Sequence, residues 1–401
     1  MGKKIKIFII ALNFILNIIQ KNKYHFENEL IRFIKFNRKN ITIDYKEEKL
    51  LSIINYIKSI KEKKHKIISY NKITKKKIAF ISPIFNQINY LSSFISSIQN
   101  QKLKEYELIF IDDFSMDNSS NFILDQKNRD NRIKLIKNKK NMGALYSRYI
   151  GQKIAQAEYC IFVDCDDIVL EDGIFQSYNH IIKYNLDIVQ FLSIWQKGKI
   201  IYINTNYYKY NRIIYKPILS YIFYYNYKFD NENELNCLLW DKLVKTNIMN
   251  KAFEFIGHSY LKKNIIITND IIVLFSIFQM ANSYQHINTI GYFYIGNNPN
   301  STINSYNDKT KKKKIINSFF LNIQFLFEKT KNTYFDKMYC IFRIKSYFNK
   351  FKNLFLNLNN KEYYYIKSII DKILNLNYLS IQDKLILTKI ELFILNMKNN
   401  E

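Results

Sequence analysis

Eight glycines and three prolines in 401 residues leave this chain little turn punctuation. No Walker-type glycine-rich loop is present, and no Ser-His-Asp arrangement. The four cysteines (Cys160, Cys165, Cys237, Cys340) are scattered without a Cys-x-x-Cys pair, which argues against structural zinc and against a disulfide framework. Five histidines (His25, His65, His180, His258, His286) show no paired metal-ligand spacing. No apolar run reaches the roughly 20 residues that a membrane span needs. The longest candidate, Ile7–Ile19, is thirteen uncharged residues interrupted by Asn13 and Asn17, and no small-residue cleavage site follows it.

What the chain does have is a cluster of carboxylates in a telling place. Tyr159-Cys-Ile-Phe-Val163 reads as a buried strand, and Asp164, Asp166 and Asp167 follow at once. Isolated buried carboxylates are costly, so acids at a strand end face a cation or a solvent-filled crevice, or else cap the helix that starts near Glu171. Upstream, short apolar runs alternate with helical patterns, the signature of a parallel α/β sheet. Lys77–Ser82 reads as a first strand stopped by Pro83. Leu91, Phe94, Ile95 and Ile98 then form one apolar helix face. Tyr106–Ile111 is a second strand, also ending in acids, Asp112 and Asp113. A helix over about 118–128, a strand Ile133–Ile136 and a helix Met142–Gln156 lead back to Tyr159. Two strands therefore end in carboxylates on one expected edge of one sheet, where open parallel sheets bind ligands. The oxygens of Ser115-Met-Asp-Asn-Ser-Ser120 suit a helix start, and Gly143 suits a tight turn into the next helix. Gly151 and Gly173 suit loops or close helix packing.

These segments resemble family 2 glycosyltransferases. Pro83-Ile-Phe-Asn86, Ile111-Asp-Asp-Phe-Ser-Met-Asp-Asn-Ser119, Asn141-Met-Gly143, Arg148-Tyr-Ile-Gly151 and Val163-Asp-Cys-Asp-Asp167 occur in that family's order and spacing. The resemblance spans about residues 76–300 and is strongest over 78–170. It implies a GT-A fold, a mainly parallel sheet flanked by helices, and transfer of a sugar from a nucleotide donor such as a UDP-sugar. By the same resemblance Pro83, Asp113, Arg148 and Asp164 would bind donor. Asp113 would accept from a uracil N–H, and Asp164 would contact the ribose or share a metal. Asp166 would hold Mn²⁺ or Mg²⁺, whose Lewis acidity neutralises the leaving diphosphate. Asp167 reads as a loop or cap residue, and Arg148 equally as a surface residue. Two departures stand out: Phe114 replaces the small residue, usually Gly, after the acidic pair, and Cys165 fills the Asp-x-Asp.

The second half must supply the acceptor site. Asp270, at the start of a helix running to about Ala281, is the candidate general base for an inverting transfer, or simply a cap. The family usually shows Glu-Asp where this chain has Asn269-Asp270, which removes a like charge and predicts a weaker base, ionised at neutral pH. Trp240 would stack on a sugar or fill the core. Tyr292-Phe-Tyr294 and Asn300-Ser-Thr302 read as the strand and loop that close the site.

Charge divides the chain. The net +27 comes from 61 Lys+Arg against 34 Asp+Glu, but residues 1–75 hold 18 against 6 and residues 311–401 hold 17 against 7. Basic helical extensions, 1–75 and 311–401, therefore flank a nearly balanced domain at 76–310. They would dock on that domain or lie on an anionic membrane. With its basic start, Met1–Ile19 suits a signal core, a membrane anchor or an interfacial helix, implying membrane association, with a cytoplasmic protein otherwise. The basic residues avoid the motif-bearing region, which argues against nucleic-acid binding. Expected partners are a nucleotide-sugar donor, an acceptor that is a glycan, lipid or protein, and a membrane surface. The rival readings are a nucleotidyltransferase, which would want a glycine-rich loop where Ser82-Pro-Ile-Phe-Asn86 stands, and a non-catalytic sugar- or nucleotide-binding subunit.

Overall fold

The computed structural model describes residues 76–197, 200–204, 213–215, 238–263, 265–267, 269–296, 309–329 and 360–375, with isolated positions between 384 and 392. The expectations for Met1–Ile19, for the helical extension at 1–75 and for Asn300-Ser-Thr302 lie outside the described residues.

The first half alternates as expected: β1 (Ile78–Ile84), α1 (Ile88–Gln99), β2 (Tyr106–Asp112), α2 (Ser119–Arg129), β3 (Ile133–Lys137), α3 (Ala144–Ile154) and β4 (Tyr159–Phe162). The second half runs β5 (Ile168–Val169), α4 (Glu171–Lys183), β6 (Ile188–Lys197), β7 (Ile200–Asn204), β8 (Ile214–Tyr215), β9 (Lys242–Lys245), α5 (Thr246–Ile256), α6 (His258–Leu261), α7 (Asn269–Met280) and β10 (Ser283–Ile295). Two helices follow, α8 (Lys309–Lys329) and α9 (Asn360–Leu374), in agreement with the helical reading of the C-terminal extension there.

All these strands join one sheet, in the order β3-β2-β1-β4-β9-β6-β10-β5, with β7 on β6 and β8 on β10. The run β3-β2-β1-β4 is parallel throughout. Beyond it the sheet is mixed: β9 is antiparallel to both β4 and β6, whereas β6 and β10 are parallel. Strands β1, β2 and β4 are largely apolar on both faces because both faces are covered, whereas the edge strand β3, with Lys134 and Lys137, is only partly buried. Ala79 and Ile81 of β1 enter one core with α3, α5, α7, α8 and α9; Ile78 and Phe80 enter the other with α1, α2 and α4. The predicted face of α1, Leu91, Phe94, Ile95 and Ile98, is wholly buried in that second core.

Pro83 does not stop β1; the strand continues to Ile84. The odd-numbered residues of β1 direct their backbone groups toward β4, as the bonds from Tyr159 N to Lys77 O and from Val163 N to Ile81 O show. The β1–β4 register ends at Ile81 against Phe162, so the missing N–H of Pro83 falls beyond that ladder and breaks nothing. Gly151 serves packing: a Cβ there would run into Ile81, so glycine lets α3 lie directly on the sheet.

Because β2 and β3 lie on one side of β1 and β4 on the other, the strand order reverses at β1. Crevices at such a reversal, outside the carboxyl ends of the strands, are where open α/β sheets take ligands. The loops after β1, β2 and β4 all open on that edge.

Candidate active site at the carboxyl edge

The acids after β2 build the rim. Asp112 is buried and accepts the Ser115 N–H at 2.9 Å and the Ser120 hydroxyl. Asp113 is buried beside it. Its Oδ1 accepts from Asn138 Nδ2 and from the Met142 N–H, both at 2.8 Å, and its Oδ2 accepts the Gly143 N–H at 2.8 Å. Gly143 stands at φ 87°, a left-handed turn that presents its N–H to the carboxylate and opens α3. A carboxylate has about four acceptor positions, and three of them hold the loop after β3.

The polar run after β2 does more than start its own helix. Asp117 Oδ1 accepts the Ser119 N–H at 3.0 Å, as expected for a local cap. The other oxygens reach across to the start of α1: Ser115 Oγ accepts from Asn86 N (3.0 Å), Ser119 Oγ from Gln87 N (3.0 Å) and Asp117 Oδ2 from Ile88 N (3.1 Å). In return Asn86 Oδ1 accepts the Met116 N–H at 2.8 Å. The two loops are thus one hydrogen-bonded unit.

After β4 the three acids diverge in role. Asp167 is buried, and its carboxylate accepts from the Tyr292 hydroxyl (2.9 Å) and the Ile295 N–H (2.7 Å), tying this loop to β10. It does not cap α4, whose N-cap is Leu170. Burial, reinforced by the charges of Asp166 and Asp164, pushes the Asp167 carboxyl well above the ordinary carboxylate range. The Tyr292 oxygen also accepts the Asp164 N–H at 3.0 Å, so one phenol holds both ends of the acidic turn. Cys165 points into the core, leaving Asp164 and Asp166 half-buried on the crevice side.

Arg148 connects the two halves of the molecule. It is buried, which removes the surface reading, and its ring-side neighbour is Phe162. Nη2 donates to Asp164 Oδ1 at 3.3 Å; Nη1 donates to Asp270 Oδ1 at 2.7 Å and to Asn269 Oδ1. The side chains of Asp164 and Asp270 remain 38% and 35% exposed, so each offers its second oxygen to the crevice. Burial alone would weaken the guanidinium's charge, but the two carboxylates outweigh it and raise its pKa further. For Asp270, removal from water raises the carboxyl above its usual range, Arg148 pulls it back and Asp164 pushes it up again. The like charge that Asn269 eliminates is therefore supplied from the other half of the chain.

No group of three or more metal-ligating side chains clusters among the described residues. A cage built by protein alone is excluded there, but a hard divalent cation needs only one or two carboxylates when diphosphate and water complete its shell. Asp166 and the crevice-side oxygen of Asp164 fit that donor set. Trp240 is buried and stacks on Tyr292 with centroids 4.3 Å apart, so it belongs to the core. Tyr292 itself carried no motif in the sequence beyond a strand reading. Among the described residues no helix is long and apolar enough to cross a membrane.

Comparison with known proteins bears on the family and the fold. Residues 79–243 match the model of glycosyl transferase family 2. A cholesterol galactosyltransferase of Borreliella burgdorferi is 29% identical over 304 residues, 73% of this chain and 80% of that protein. A Staphylococcus aureus poly(ribitol-phosphate) β-N-acetylglucosaminyltransferase, TarP, is 38% identical over 117 residues, covering 28% of this chain and 36% of the relative. The crystal structure of S. aureus TarS 1–349 in complex with UDP-GlcNAc superposes with a TM-score of 0.60 at 13% identity, over 80% of this chain and 89% of that one, and shares the fold.

Proposed function

Because residues 79–243 match the model of glycosyl transferase family 2, we propose that the chain is a member that transfers a sugar from a UDP-sugar to an acceptor hydroxyl with inversion at the anomeric carbon. The observation that carries this reading is the junction at Arg148, where Asp164 from the sheet edge and Asp270 from the second half meet. On this reading one partner of that junction would border the donor and the other would face the acceptor.

The transfer is a single displacement. The acceptor hydroxyl loses its proton to Asp270 Oδ2 as its oxygen attacks the anomeric carbon, and the nucleoside diphosphate departs. Arg148 fixes Asp270 through Oδ1, which orients the other oxygen. Asp113 keeps one acceptor position for a base N–H. Asp166 with Asp164 would hold Mn²⁺ or Mg²⁺, which when bound neutralises charge on the leaving diphosphate. The Borreliella burgdorferi relative, which aligns with 73% of this chain, is named for action on cholesterol, which supports a lipid alcohol as acceptor; TarP supports a polyol phosphate. The rival is a binding subunit that takes the donor without transferring it, kept in view by Asn269.

The test is transfer and hydrolysis across UDP- and GDP-sugars, with Mn²⁺ and with EDTA, offering cholesterol and poly(ribitol phosphate). The expected result is Mn²⁺-dependent consumption of a UDP-sugar. Donor binding without turnover on any acceptor would favour the subunit; no donor binding at all would refute both.

A further inference from the structure

Among the described residues three non-glycine backbones are left-handed: Asn86 (φ 54°), Phe114 (φ 71°) and Asn185 (φ 48°). Asparagine tolerates this region because its short amide bonds locally; phenylalanine does not, and its Cβ crowds the following carbonyl. The strain is held in place by the surrounding bonds, since Asp112 and Asp113 before it and Ser115 and Met116 after it are all tied down. Among the described residues the ring joins neither hydrophobic core in return, and it is 47% exposed. Glycine at this position would remove the strain and lose no core packing among the described residues. A strained residue whose half-exposed ring lies outside both cores points to a ligand.

The position says which part of the ligand. Phosphate and sugar chemistry belong with Asp164, Asp166, Asp270 and Arg148, beside β4. A nucleotide sugar is extended, so its far end, the base, must lie toward β1 and β2. There the stapled loops carry a second exposed ring, Phe85, 46% exposed. Asp113, the residue before it, would meet the hydrogen-bonding edge of such a base.

We propose that Phe114 is an affinity- and specificity-determining residue that packs its ring on the nucleobase, retained at the cost of backbone strain. This rests on the nucleotide-sugar reading above. The contact adds an aromatic face where a glycine would leave the base open to water, so it strengthens binding of the nucleoside independently of the diphosphate.

The experiment measures UDP, uridine and inorganic pyrophosphate binding by calorimetry for the parent, Phe114→Gly, Phe114→Ala and Phe114→Tyr, with melting temperatures alongside. Stacking on an aromatic ring predicts that the Gly and Ala variants bind UDP and uridine about ten-fold or more weakly, that pyrophosphate binding is unchanged, and that Tyr restores nucleoside affinity. The Gly variant should melt no lower than the parent, since relief of left-handed strain offsets the added freedom of the unfolded chain. Equal UDP affinity of parent and both small variants would overturn the proposal while leaving the donor reading standing. Equal losses for pyrophosphate and uridine would overturn it too, by assigning Phe114 a general loop-shaping role. A parent that binds no nucleotide would overturn the donor reading, and this inference with it.

Discussion

Replacing Arg148 with methionine tests the junction most directly, because it removes the charge while filling most of the volume beside Phe162. The guanidinium bonds Asp270 at 2.7 Å and Asp164 at 3.3 Å. Removing one partner of a buried ion pair costs about 3–5 kcal/mol because a charge is left uncompensated. Here the two carboxylates are 35% and 38% exposed, so water takes over part of the role and the loss should be nearer ~2 kcal/mol. In a domain of this size that lowers the melting temperature by about 4–8 °C. The effect on chemistry should be larger. Without Arg148 only the smaller influence of the Lys242 charge offsets the burial and the neighbouring Asp164 that already raise the Asp270 carboxyl. A general base works only when ionised, so activity rises with pH through its pKa, and a higher pKa moves the acid limb of kcat to higher pH. Misorientation of the base adds about a hundred-fold loss even on the alkaline plateau. Arg148→Lys should recover only part of this, since one ammonium cannot fork to both acids. The assay is single-turnover transfer across pH at a temperature where the variant is folded. A variant with the parental plateau and an unmoved acid limb would refute the idea that Arg148 governs the base.

Three further substitutions bear on the same account. Asp270→Asn should leave UDP-sugar binding within about two-fold and cut transfer about 10²–10⁴-fold, as read by calorimetry and single-turnover kinetics; equal transfer would move the base to another residue. Asp166→Asn should abolish the Mn²⁺ dependence of donor binding with little change in melting, and donor titrations with and without Mn²⁺ that match the parent would place the metal elsewhere. Asp130→Asn is the control away from the site. Asp130 and Arg132 are buried and joined through Arg132 Nε (2.8 Å) and Nη2 (2.7 Å), so the variant should lose about 3 kcal/mol of stability and keep its kcat. Burial opposes the Asp130 charge, but Arg132 prevails and lowers its pKa below the ordinary carboxylate range. The stability it contributes is therefore present above the unfolded-state pKa and is lost as pH falls through the lower folded-state value. Denaturation midpoints of parent and variant should converge at acid pH, and a constant gap would contradict the ion-pair explanation.

How much of this was legible beforehand follows from the range of the interactions. The strands β1, β2 and β4 announced themselves because burial on both faces demands continuous apolar runs, and α1 because its four core residues share one face. The acids on one sheet edge followed from that alternation alone. The second half was not legible in the same way. β9 separates β4 from β6 in space although eighty residues divide β4 and β9 in sequence, and β5 is two residues long. Such pairings depend on tertiary partners, which a local pattern does not encode.

Arg148 shows the same limit at the level of one side chain. On its helix it read equally as a surface residue, because the acids that bury its charge lie 16 and 122 positions away. Motif order could name Asp164 and Asp270 separately, but only packing α7 against α3 makes them share a cation. Phe114 shows the converse. Its departure from glycine was visible in the sequence, yet the reason glycine suits the position, a φ of 71°, appears only once β2 has turned into the loop. A motif records which residue types tolerate a backbone; the structure shows what that backbone costs when the chain breaks the pattern. At Asn269 the break is compensated, because Asn269 still accepts from Arg148 and Asp164 supplies the like charge. At Phe114 neither core of the described residues compensates it, which is the physical reason for proposing an external partner for the ring.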